Sequence, residues 1–160
     1  MNSESIVQYR GFTLIELVVV VMLLGILSVF AMGKLFNQNQ FAAKGFFDDT
    51  VNAVRFAQKL AVSSGCAVQV QITTTGYQLF QGTTCISGVF TRAVANPANR
   101  ANPYSNNNMP TGYGLTPAVI EFDARGVITS GGLDPLPVTL AGPDATFTFN
   151  VHRKTGLVDA

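Results

Sequence analysis

Three small groups of residues have types and spacings suited to chemistry. Glu16 stands at the head of a charge-free run, Leu17 to Gly33. A carboxylate placed there calls for a positive partner, because unpaired charge in an apolar helix is costly. Cys66 and Cys85 are the only cysteines, and His152 is the single histidine. That count is too small for a multi-ligand zinc or iron centre, so the cysteines form either a disulfide or two buried thiols. Arg153 and Lys154 are adjacent cations near the last residues of the sequence. Two charges neutralise few phosphates and predict weak, shallowly salt-dependent nucleic-acid binding. A structural turn is the expected role of the Arg153-Lys154 pair, and nucleic acid is not an expected partner.

The remaining polar residues form no catalytic set. His152 falls on the outward-facing alternation of a strand. Asp123, Asp134 and Asp144 lie in glycine- or proline-bearing turn sequences, the ordinary use of aspartate. No acidic repeat of the calcium-loop kind occurs, and Gly131-Gly132 lacks a Walker lysine and a following helix. The expectation is therefore a protein that is not an enzyme, with no metal, no cofactor and no small-molecule substrate.

The elements that must position these residues are unevenly apolar. The chain has 160 residues, 48% hydrophobic and only 12% charged, with a net charge of +1. Charge is about half the usual quarter for soluble domains. The charge-free run would make a helix roughly 25 Å long, near the hydrocarbon thickness. Arg10 precedes it and Lys34 follows. The positive-inside rule puts the short leader in the cytoplasm and everything from Lys34 on outside the inner membrane, where cysteines can oxidise. As a cleaved secretory signal the run is too long, and Phe30 stands where a cleavage site wants a small residue. As a plain single-pass anchor of a periplasmic domain it leaves Glu16 unexplained.

Gly11-Phe12-Thr13-Leu14-Ile15-Glu16, followed by the apolar run, resembles the type IV prepilin signal. The resemblance implies that a prepilin peptidase cuts after Gly11 and methylates the amino group of Phe12. Residues 1–11 are then a leader and 12–33 a transmembrane and assembly helix. The physics is independent of the family. Cleavage frees an ammonium on Phe12, and Glu16 lies four residues on, where it offsets that charge within one helix or meets the ammonium of a neighbouring subunit. Low dielectric strengthens such a pair and penalises a subunit that arrives without it, which sets register.

Val18 to Val21 are β-branched and suit a helix in lipid or a packed bundle; Gly25 and Gly33 are its two weak points. Residues 34–65 read as an amphipathic periplasmic helix. Asp48 and Asp49 are placed at its N-terminal turn, Phe47, Val51, Val54 and Ala61 form its apolar stripe, and Ser63-Ser64-Gly65 ends it. One long, interrupted helix from the mid-teens to the low sixties is expected.

From residue 66 the period becomes two. If Thr75-Gly76 is a two-residue hairpin loop, Ile72 faces Leu79 and Cys66 faces Cys85, within disulfide reach. Ala95 to Pro117, rich in Asn and Pro, reads as a long loop. A solvated loop without a partner is the expected role, a contact surface made by Tyr104 and Tyr113 being the alternative. Further strands are expected at 118–122, 138–140, 147–151 and 157–158, joined by turns at 123–126, 142–144 and 153–156. The fold class is α+β: a long N-terminal helix, hydrophobic in its first half, packed on a C-terminal antiparallel sheet or sandwich over 66–160.

Arg55-Phe56-Ala57, Leu60-Ala61, Phe122-Asp123-Ala124-Arg125-Gly126 and Thr155-Gly156-Leu157-Val158 are similar to minor pseudopilins of type H and related minor pilins. Arg55 to Gly65 followed by Cys66 is closer still to a minor pilin of the mannose-sensitive haemagglutinin pilus. The resemblance implies a structural subunit of a type IV pilus or type II secretion pseudopilus. Its partners would be other pilin subunits, the prepilin peptidase and the inner membrane. A tip-located adhesive or DNA-binding minor pilin is the alternative.

Overall fold

The computed structural model describes residues 11–35, 38–83, 85 and 89–160, with the backbone alone at 30–35. Most of the expected leader, Met1 to Arg10, thus lies outside the described residues. The chain divides after Asn37 into two compact units.

The first unit is one helix, α1 (Leu14–Leu35). It runs through Gly25 and Gly33 without interruption, so neither glycine breaks it. Its apolar side chains from Leu14 to Val29 are between 41% and 83% exposed on every side. A helix apolar all round has no face of its own to hide and is built to be buried by something else.

The second unit joins α2 (Gln38–Ser64) to two antiparallel sheets. The helix begins ten residues before Asp48, so Asp48 and Asp49 are mid-helix residues, not N-terminal ones. Asp48 instead pairs with Lys44 at i,i+4, 2.7 Å apart and exposed, an arrangement worth about 0.3–0.5 kcal/mol. Gly65, at φ +66°, closes the helix in the left-handed conformation that glycine takes without strain.

In the first sheet β1 (Val68–Ile72) lies between β2 (Tyr77–Gly82) and β6 (Ala118–Phe122), while β3 (Phe90–Ala93) and β4 (Ser105–Asn106) both pair with β2. The second sheet runs β5 (Gly114–Leu115), β7 (Leu136–Ala141), β8 (Thr146–Val151), β9 (Val158–Asp159). One core unites them. Val51, Val54, Ala57 and Ala61 of α2 meet Val68, Val70, Leu79, Ile120 and Phe122 of one sheet and Val138, Leu140, Phe149 and Val151 of the other. Phe47 reaches the second sheet directly, its ring 5.4 Å from Phe147 and 5.8 Å from Phe149. Each such fully buried side chain contributes about 1.5–3 kcal/mol of transfer free energy.

The hairpin register differs from expectation. Thr73 N–H donates to the Gly76 carbonyl at 2.8 Å, so Thr74-Thr75 are the loop residues. Ile72 pairs with Tyr77 and Val70 with Leu79. The slip is two residues in pairing, so every inward side chain stays inward. Gly76 serves a different purpose from the one its type suggested: a Cβ there would strike the backbone of Asn106 and the side chain of Asn107. Glycine is needed for that close approach.

Cys66 and Cys85 are nevertheless bonded, with Cα atoms 4.4 Å apart. Cys85 lies beyond the end of β2, so the bridge ties the start of the sheet to the following turn and is not the directly opposed cross-strand pair that the sequence suggested. The closed loop predicts a loss of about 3 kcal/mol on reduction in the chain-entropy model. Urea unfolding with and without reductant checks this; an unchanged midpoint would show that the bridge leaves the unfolded chain unconstrained.

The segment 95–117 is not a free loop. It contributes β4 and β5, one to each sheet, and Ala95 bridges Pro103. Asn96, Asn99 and Asn106 each accept a hydrogen bond from the backbone N–H two residues on, at 2.9, 3.2 and 2.9 Å. These are Asx turns. Its tyrosines face inward. Tyr104 stacks edge-on to Phe56 at 5.1 Å and lies 6.3 Å from Tyr77. Tyr113 packs so closely on Gly142 that a Cβ there would meet its ring. Neither is the outward contact residue that composition suggested.

Candidate functional site

The head of α1 is organised by Thr13. Its hydroxyl oxygen accepts the Glu16 N–H at 3.3 Å, and its carbonyl accepts the N–H groups of Glu16 and Leu17 at 3.1 and 3.2 Å. Thr13 is therefore the N-cap, Leu14 the first helical residue and Glu16 the third. Thr-x-x-Glu before an apolar run is the spacing of a capping box, and Phe12 before the cap with Leu17 four residues into the helix has the spacing of a hydrophobic staple. Sequence reading singled out Glu16 and overlooked Thr13, although this spacing was its visible signal.

Phe12 precedes the helix, so it and Glu16 are not two residues of one helical face. They are still brought together: Gly11, Phe12, Thr13 and Glu16 border one shallow hollow. The Glu16 carboxylate sits in the first turn, where the helix dipole favours negative charge by about 0.3–1 kcal/mol. The Gly11-Phe12 junction lies in non-helical backbone, with nothing within 4 Å of a Cβ built on Gly11 and the Phe12 side chain 79% exposed.

Among the described residues no helix is long and apolar enough to cross a membrane. The stretch of α1 whose side chains are described, Leu14 to Val29, is about 24 Å of helix, short of a hydrocarbon core of about 30 Å.

Residues 8–32 match the family model for the prokaryotic N-terminal methylation motif. The head of this chain therefore carries the N-terminal methylation motif. The fold of this chain is similar to the minor pseudopilin EpsH from the type 2 secretion system of Vibrio cholerae, at 15% identity over 72% of this chain and 93% of that one, with a TM-score of 0.54. The type IV minor pilin FimU of Pseudomonas aeruginosa aligns at 16% identity over 77% of this chain and 87% of that one, with a TM-score of 0.46, and in a second crystal form with a TM-score of 0.44. At such identities the likeness is one of fold, carried by EpsH. No curated protein matches the sequence significantly. The finer resemblance to a mannose-sensitive haemagglutinin minor pilin has no counterpart in these matches.

The sequence elements that resembled minor pseudopilins meet at one joint in the second unit. Gln58 of α2 donates from Nε2 to the carbonyls of Thr155, at 3.0 Å, and Gly126, at 3.3 Å. Arg55, one turn earlier, donates to the Val158 carbonyl at 3.1 Å. The Asp123 turn is self-contained. Its carboxylate accepts the N–H groups of Arg125 and Val127 and two bonds from the Arg125 guanidinium. Desolvation pushes the Asp123 carboxyl up, but the Arg125 hydrogen bond and the two backbone donors outweigh it and hold it below the usual carboxylate value.

Arg153 is engaged in the same region. Its guanidinium donates to the carbonyls of Ser130, at 2.5 Å, and Gly132, at 2.8 Å, and its backbone N–H donates to Asp134 at 3.0 Å. Lys154 beside it is exposed. The pair is thus one structural brace and one surface lysine. His152 is half-buried, its backbone bonded to Leu157 and Gly156 across the last turn.

Asp49 is the residue that sequence reading misassigned most. Its carboxylate accepts the Tyr77 hydroxyl at 2.5 Å and the Asn106 amide at 2.8 Å, so one side chain of α2 fastens β2 and the Asn-rich segment. Burial, then the bond to Asp49 and its charge, raise the Tyr77 phenol well above its ordinary value; burial and the same charge raise Tyr104. A raised phenol contributes stability that is complete below the unfolded-state value near 10 and is lost as the pH rises through the folded one. Asp49→Ala is expected to cost about 1–3 kcal/mol by orphaning the Tyr77 hydroxyl and to speed amide exchange at Ser105 and Asn106. Unchanged exchange there would mean that the segment holds itself in place.

Proposed function

We propose that this chain is a minor pilin or pseudopilin, a structural subunit of a type IV pilus or type II secretion pseudopilus, and not an enzyme. Prepilin peptidase cuts after Gly11 and methylates the amine of Phe12. The subunit sits in the inner membrane through α1 with residues 38–160 in the periplasm, then enters the filament through the same helix. The observation that carries the reading is the head of α1: an exposed, non-helical Gly11-Phe12 junction, a capped helix start at Thr13, and Glu16 in the first turn of a helix exposed on all sides. Exposed non-helical backbone is what a peptidase can bind. A helix with no hidden face is what lipid, and later sister helices, can cover.

The test is terminal sequencing and mass analysis of the full chain expressed with and without prepilin peptidase. The expected product begins at methylated Phe12 only when the peptidase is present. A chain that still begins at Met1 beside active peptidase overturns the proposal and leaves a plain membrane-anchored domain, for which Glu16→Ala would change nothing. The DNA-binding alternative is disfavoured by the Arg153 guanidinium, which is occupied by the carbonyls of Ser130 and Gly132.

A further inference from the structure

Charge is partitioned along the chain. From Thr50 to Ile120 there is no Asp or Glu, while Arg55, Lys59, Arg92 and Arg100 all fall in this stretch; the remaining residues to Ala160 carry five acids and three bases. Two of the four cations converge on one edge of the first sheet. The segment Arg92 to Ala95 forms a ridge with a hollow on each flank. On one side Phe56 and Leu60 of α2 and Val94 line an apolar groove with Arg92 at its wall. On the other, Gln78, Asn102 and Arg100 line an amide-bearing hollow against the turn at 96–103.

The ridge is built, not loose. Arg92 donates to the Gln81 carbonyl oxygen, and the Gln81 amide, itself buried, donates to Ser64 at 2.9 Å. The Asx turns of Asn96 and Asn99 fix the far wall. Among the described residues neither Arg92 nor Arg100 has an ion-pair partner.

We propose that this edge is a docking surface for an acidic segment of another protein subunit, one that sets an apolar side chain in the Phe56–Leu60–Val94 groove and carboxylates against Arg92 and Arg100. Arginine beside an apolar pocket is the composition of interface anchors. An edge whose own strand and turn carry arginines and no acid attracts acidic partners and rejects basic ones. One arginine at the wall of an apolar groove and a second across the ridge from it fit alternating acidic and apolar side chains better than a nucleic-acid backbone, which binds through many phosphates. The proposal rests on the reading of the chain as an assembling subunit.

The test is an NMR titration of the uncleaved full chain in neutral detergent with an acetylated Glu-Leu-Asp-Phe-Glu amide, against a Lys-Leu-Lys-Phe-Lys control and a short DNA duplex. Shifts of the Leu60 and Val94 methyls and of the Arg92 and Arg100 side-chain N–H groups are expected with the acidic peptide alone. Arg92→Glu should weaken binding about tenfold or more. Arg100→Glu, an exposed position, should do so in the same direction and covers the case in which Arg92→Glu disturbs Gln81. No shifts, equal binding by the charge-reversed variants, or preference for the duplex overturns the proposal. Cleavage is not required, so failed processing leaves this result standing, and failed binding leaves the processing result standing.

Discussion

Gly156→Ala is expected to give one of the largest losses of stability of any single substitution in the second unit. Gly156 sits at φ +66°, where an L side chain is strained by about 1–3 kcal/mol. A Cβ there would also strike the Gly126 carbonyl and the Gln58 amide closer than real Cβ atoms approach. Overpacking against a fixed backbone costs typically 1–3 kcal/mol more. The clash falls on Gln58, the donor that holds both turns to α2, so relief by moving Gln58 leaves two carbonyls without their partner. Together these terms come to about 2–6 kcal/mol, against a total stability of about 5–15 kcal/mol. The urea midpoint measures the loss. Gln58→Ala combined with Gly156→Ala separates the terms: it removes the clash with the Gln58 amide and leaves the backbone strain and the approach to the Gly126 carbonyl, so its loss should be less than the sum of the single losses. Strict additivity, or a Gly156→Ala midpoint equal to the parent's, contradicts this account of the joint.

The same joint shows why the fold was largely legible in the sequence. Alternation placed Phe149 and Val151 inward, and the stripe Phe47, Val51, Val54, Ala61 fixed the buried face of α2, because one-sided burial leaves a period that survives any tertiary detail. The fold class and the turns at 123–126, 142–144 and 153–156 follow from that and from local glycine and aspartate chemistry. What failed was long-range. Gly76 reads as a turn glycine, and only the approach of Asn106 and Asn107 explains it. The hairpin slip followed, yet the cysteine pairing came out right because Cys85 lies past the end of the strand, where the ladder register does not set its distance from Cys66. Asp48 and Asp49 read as a helix start, since nothing local announces that Asp49 is held by Tyr77 and Asn106, 28 and 57 residues away. At the head of α1 the information was local, as a Thr13-to-Glu16 spacing, and was masked by the more conspicuous carboxylate.

Glu16→Ala should give a subunit that is cleaved after Gly11 but excluded from filaments. Cleavage depends on the exposed Gly11-Phe12 junction and on the helix start, and Thr13 still caps the helix through its own hydroxyl. Entry into a filament is different in kind. On the proposed assembly route the Phe12 ammonium would be carried into an apolar bundle, where it needs a carboxylate. Removing one partner of a buried pair costs about 3–5 kcal/mol, which at about 1.4 kcal/mol per factor of ten is a loss of about two to three and a half orders of magnitude in incorporation. Immunoblotting of sheared filaments against cell membranes reads the partition directly. Glu16→Gln keeps the shape and the hydrogen-bonding amide while removing the charge, so it should fall with Glu16→Ala if charge pairing is the requirement. Recovery by glutamine would assign Glu16 to the capping box alone, with the neighbouring ammonium satisfied by other groups. Normal incorporation of both variants would remove the pairing of Phe12 and Glu16 from the assembly mechanism altogether.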